Sequence, residues 1–140
     1  MSSLGFLQRM RLIAWFVPRV AASVELWTKA RRSLLVTDVK GGKRVVRVEV
    51  EQITLAPRQR TGVHVHHCPT VGNVTRGAIH FQLEGQAARL LRVGDAFCVP
   101  ANVRTLHFDN ACQGPATVVV CHLLGAGERA VSTMLSCGED

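Results

Sequence analysis

The sequence predicts an all-β sandwich or barrel, with a helical extension before it and a short helix after it. Three observations carry this reading. From residue 33 onward short apolar runs recur at even spacing, the pattern of many short strands in a double or closed sheet. Glu84-Gly85, Gly94-Asp95, Asp109-Asn110 and Gly114-Pro115 punctuate those runs as turns. The chain has 140 residues, 47% of them apolar, enough for one domain with its own core. That apolar share excludes a disordered chain, and the low charged share of 19% excludes a coiled coil.

The elements follow in order. Residues 4–16 have the apolar content of a short helix, which Pro18 ends. Val20, Val24, Trp27 and Arg31 recur at helical spacing, so residues 20–31 read as an amphipathic helix with a basic, solvated end. Residues 1–32 are thus expected to form a basic helical extension. Leu34-Leu35-Val36 then leads into the hairpin signal Lys40-Gly41-Gly42-Lys43. Val46, Val48 and Val50 alternate with charged residues up to Glu51, after which Ile53 and Leu55 become the apolar set. That change of phase at Gln52 predicts a bulge, or a strand bending from one sheet to another. Further strands are expected near 63–67, 71–76, 78–83, 87–93, 96–99, 103–108 and 116–124. In the tail, Ala130, Val131, Met134 and Leu135 share one helical face, which predicts a closing helix within residues 126–140. The barrel would occupy residues 33–125.

Charge is distributed unevenly. Residues 1–60 carry twelve Lys/Arg against four Asp/Glu, and residues 61–140 carry five against six. A basic segment can attract nucleic acid or anionic lipid. Here the aromatic interleaving is sparse and tyrosine is absent, so nucleic-acid binding is not expected. Leu12 to Val17, flanked by arginines, leaves contact with a membrane surface as an alternative to a solvated face. The same run is short for a signal sequence, and Pro18 and Arg19 follow it, so the expected location is cytoplasmic, with export the alternative. The five cysteines form no C-x-x-C pair, which fits reduced thiols rather than a disulfide scaffold or zinc ribbon. Cys98 and Cys121 lie inside apolar runs and read as core fillers.

The chemistry concentrates at Val63-His64-Val65-His66-His67. In a strand, residues two apart point the same way, so His64 and His66 share a face and His67 points away. Two neighbouring neutral imidazoles suit Zn, Fe, Ni or Cu. A third ligand must come from another strand, and His107 is the candidate. The alternative is a histidine cluster on a solvated face. His80 and His122 read first as satisfied strand histidines, with a role as interior acid/base or reserve ligand as the alternative.

These residues resemble the motifs of small single-domain cupins, the jelly-roll or double-stranded β-helix barrels. The first cupin motif, G-x5-H-x-H-x(3–4)-E-x6-G, is matched at His64, His66 and Gly77, with Arg58 at its first Gly and Thr70 at its Glu. The second, G-x5-P-x-G-x2-H-x3-N, is matched at Gly94 and Pro100. Asn102 stands for its Gly, and the histidine comes two residues late as His107, followed by Asn110. The resemblance spans roughly residues 33–125. It implies one divalent metal ion (Fe, Mn, Ni or Zn) inside the barrel, held by His64, His66 and His107 with open positions for substrate. It also implies a homodimer. The function expected is a mononuclear metal-dependent enzyme, dioxygenase-like or an isomerase, acting on a small organic molecule. The alternative is a non-catalytic small-molecule-binding or sensory cupin with a weak or absent metal, as Thr70 in place of the carboxylate suggests.

Overall fold

A computed structural model describes residues 31–39 and 41–136. Among the described residues the regular structure is nine strands: β1 (Arg47–Leu55), β2 (His64–His66), β3 (Thr70–Arg76), β4 (Ala78–Leu83), β5 (Arg89–Arg92), β6 (Ala96–Val99), β7 (Arg104–Asn110), β8 (Ala116–Leu124) and β9 (Ser132–Met134). Two antiparallel sheets result, in the orders β1-β8-β3-β6 and β5-β4-β7-β2-β9. Sequential strands are mostly not neighbours, the signature of a jelly roll rather than a meander. No helix among the described residues is long and apolar enough to cross a membrane.

Alternation builds the core. In β4, Ile79, Phe81 and Leu83 are buried while Ala78, His80 and Gln82 are less so. In β8, Val118, Val120 and Leu124 point inward between half-buried neighbours. Phe81, Phe97 and Phe108 meet with ring centroids 5.2–6.1 Å apart, partly edge-to-face. Burying each such ring is worth roughly 2 kcal/mol. Asn110, itself buried, donates to the carbonyls of Ala56 and Gly114 and accepts from the Cys112 amide, tying three loop segments together.

The helices expected over residues 4–16 and 20–31 fall outside the described residues, but for Arg31. Four local expectations are corrected. Leu34-Leu35-Val36 pairs with no strand. β1 runs through Gln52 without a bulge, in unbroken register against β8 from Arg47↔Leu124 to Leu55↔Ala116. The phase change therefore exchanges the faces: Val48 and Val50 lie on the outside, while Glu49 and Glu51 share the inward side with Ile53 and Leu55. Among the described residues the tail forms no helix, and residues 132–134 instead form β9 against β2. The helical stripe there is short, whereas β2 presents a free edge whose backbone groups need partners. Cys98 and Cys121 are likewise not core fillers; both are half-buried on the outer side, each opposite Val71.

The two glycine positions that the motifs lack keep a glycine-like backbone. Arg58 has φ +57° and Asn102 φ +60°, both left-handed. Asn tolerates that region through its short polar side chain, while Arg58 is strained there.

Candidate functional site

One cavity of about 180 Å³ lies between the inward faces of the two sheets. Its walls are apolar: Ile53 and Leu55 of β1, Phe97 and Val99 of β6, Phe108 of β7 and Val120 of β8. Polar groups come from His64 and His66 of β2, Thr70 of β3, His122 of β8 and Thr61. Ser132 and Met134 of β9, both exposed, complete the lining. The volume falls below the roughly 300–1,000 Å³ of pockets for drug-sized ligands.

His64 and His66 come together as the two-residue spacing requires, with ring centroids 5.1 Å apart and nearly perpendicular planes. His64 is buried, and its Nδ1 donates to the Gly62 carbonyl at 2.8 Å. That bond fixes the tautomer and leaves the Nε2 lone pair free. Burial first, then the neighbouring His64, His122 and His67, lowers the pKa of His66 from 6.5 to about 4. His66 is therefore neutral at pH 7, with a lone pair available to a proton or a metal. His67 stands on the exposed side and bridges to β9 through Thr133 Oγ1 at 2.7 Å.

The third expected ligand is not brought to this pair. The pairs Gln82↔His107 and Leu83↔Thr105 leave Leu106 as an extra residue in β7. Thr105 and Phe108 consequently point inward, and His107 points outward. The ring of His107 lies 4.8 Å from that of His80, and its Nδ1 lies 2.8 Å from Asp109 Oδ2. The position that the second motif reserves for histidine is Thr105, paired with His64. Its hydroxyl is buried without a hydrogen-bond partner among the described residues.

His122 enters the cavity in place of His107. Its ring centroid lies 6.0 Å from that of His66. Thr70, at the motif's Glu position, holds His122 Nδ1 at 3.0 Å. On the other side His122 Nε2 lies 3.4 Å from a carboxylate oxygen of Glu51, whose side chain is half exposed. A chain of polar contacts thus runs from Thr70 through His122 to solvent at Glu51. The sequence signal for His122 was its inward phase in β8, shared with Val118 and Val120. Glu51 carried none, because the phase change in β1 hid it.

No protein-family model and no curated protein matches the sequence. Solved structures do. A cupin-like protein of Thermotoga maritima is 26% identical, with a TM-score of 0.53 over 63% of this chain and 64% of that one. A chain from the structures of the DMSP lyases RdDddP and RnDddQII gives 24% identity and a TM-score of 0.56 over 64% of this chain and 44% of that one. An oxalate oxidase in complex with the substrate analogue glycolate gives 20% and 0.55 over 63% and 46%. The chain spans less than half the length of these two enzymes. With the strand order, the left-handed residues at the motif glycines and the paired His64 and His66, these likenesses converge: residues 47–134 have a cupin-like fold.

Proposed function

We propose that the barrel cavity binds one small, largely apolar organic molecule against a divalent metal ion held by His64, His66 and His122. The observation that carries this is the convergence of three imidazoles at one wall of an otherwise apolar cavity. The donor types fit a metal of the Fe, Mn, Ni or Zn group: three imidazoles line one cavity, and His64 offers a free Nε2, with ligation requiring the three rings to draw closer together. When bound, such an ion would supply Lewis acidity or, as iron, redox chemistry with O₂, which makes dioxygenase-like turnover of a small enol, diketone or phenol the leading activity. Phe97, Phe108, Val99 and Val120 exclude water from the reacting molecule. Glu51 provides the exit for a proton from His122 to solvent.

A second reading, a non-catalytic binding cupin, is favoured by one observation. Both ring nitrogens of His122 are engaged, by Thr70 and Glu51, and ligation requires the ring to release one of them. The exposed valines Val46, just before β1, and Val48 and Val50 on its outer face support a homodimer through that face.

Elemental mass spectrometry of the full chain, purified without chelator, tests the first reading. We expect metal that the His64→Ala/His66→Ala variant loses and the His107→Ala variant keeps at the cavity. Iron would direct an O₂-uptake screen of small enols and phenols. Failure of the double substitution to lower metal content, even after anaerobic reconstitution, would sink the metal reading and leave the binding one.

A further inference from the structure

Outside the cavity, on the opposite side of the five-stranded sheet, three donors converge that the proposed function does not use. His80 alternates with the buried Ile79 and Phe81, so it projects from the outer face. Asp109 is its direct cross-strand partner, and His107 lies two residues before Asp109 on β7. One ligand atom from each of the three lies within 4.8 Å of the others. The extra residue at Leu106 creates this arrangement, because it re-aims His107 to the same side as His80 and Asp109.

We propose that His80, His107 and Asp109 form a second metal site, on the outer face of the sheet, for a zinc-class divalent ion. The inference is independent of the cavity, since no ligand is shared. Among the described residues neither ring nitrogen of His80 has a hydrogen-bond partner, and His107 uses only Nδ1. His80 therefore keeps a lone pair for a ligand, and His107 Nδ1 already meets the carboxylate. The carboxylate is braced: Asp109 Oδ1 accepts from the Thr61 amide at 3.1 Å, and Oδ2 holds His107 Nδ1. An ion between His107 Nδ1 and Asp109 Oδ2 would replace the proton they share, with His80 in reach of both. Two histidines and one carboxylate leave further positions for water or an exogenous ligand. The surroundings set the selectivity. Arg58 and Arg60 line the same groove as His80 and Asp109. Their charge opposes hard cations held by electrostatics alone, so binding depends on imidazole coordination. The site takes Zn²⁺, Ni²⁺ or Cu²⁺ and rejects Mg²⁺ and Ca²⁺.

The test is equilibrium dialysis of the full chain, stripped with chelator, against Zn²⁺ in excess Mg²⁺. In a His64→Ala/His66→Ala background, which removes the cavity ligands, we expect one zinc per chain. Adding His80→Ala/His107→Ala abolishes it, and adding Asp109→Asn weakens it by about 10–100-fold. Absence of zinc binding in the background variant, or its persistence without His80 and His107, overturns the proposal. Loss of cavity metal in the parent protein leaves this outcome unaffected, so the two readings fail separately. Ring ¹⁵N NMR of the unsubstituted protein gives the same answer without relying on variants that fold. Zinc shifts the resonances of His80 and His107 if the site exists; shifts confined to His64, His66 and His122 refute it.

Discussion

Acid should destabilise this barrel through His66. In the folded protein, loss of hydration and then the charges of His64, His122 and His67 lower its pKa from 6.5 to about 4. The unfolded chain keeps the ordinary value, so between these limits the unfolded state binds a proton that the folded state refuses. Stability is then complete above pH 6.5 and falls as pH drops toward about 4. At 1.36 kcal/mol per pH unit, the full span corresponds to about 3.4 kcal/mol. The ring is only partly buried, and solvent screening reduces this to about 2 kcal/mol. Urea unfolding of chelator-treated protein, followed from pH 7 to about pH 4.5, measures it beside a His66→Gln variant that cannot titrate. The parent should lose about 2 kcal/mol more than the variant over that range. Parallel losses in both would refute the reasoning, since acid sensitivity would then arise elsewhere.

Other residues give sharp expectations. A Cβ on Gly72 would sit 2.6 Å from the Val119 carbonyl oxygen and 2.7 Å from the Phe97 ring. Gly72→Ala should therefore cost about 1–3 kcal/mol, and an unchanged melting temperature would contradict that packing. Thr105→Val replaces a buried hydroxyl that has no partner among the described residues by a methyl group, and should raise stability by about 1 kcal/mol in chemical denaturation; a drop would mean that the hydroxyl is solvated. Cys68 is buried and its thiol pKa is raised, first by burial. Mass mapping of alkylation in the native protein should find it modified well after Cys112, and equal rates would place it on the surface.

Strand positions were legible because period-2 alternation depends on nearby residues alone. The expected runs 78–83, 96–99 and 116–124 coincide with β4, β6 and β8. The pairing of His64 with His66 was legible for the same reason. His107 was misplaced because its direction depends on one extra residue in β7, which shows itself only when β7 is laid against β4. Identifying His122 as the third imidazole required knowing that β8 faces β2 across the core, a long-range fact without local trace. The tail failed for a different reason. Its apolar stripe was real, but a free strand edge at β2 outweighed a short helix.

The last strand also makes the cavity responsive to its contents. β9 is three exposed residues paired only with β2, yet it contributes Ser132 and Met134 to the cavity lining. A segment with so little buried apolar surface detaches at a fraction of the free energy of global unfolding. Its attachment is therefore thermodynamically linked to occupancy. A ligand that touches Ser132 or Met134 and binds only the closed form, present at a hundredfold excess over Kd, adds about 2.7 kcal/mol to the cost of detachment. Amide hydrogen exchange at Leu135, whose N–H is donated to the Val63 carbonyl of the same pairing, would then slow by about a hundredfold, so that this edge reports on what the cavity holds.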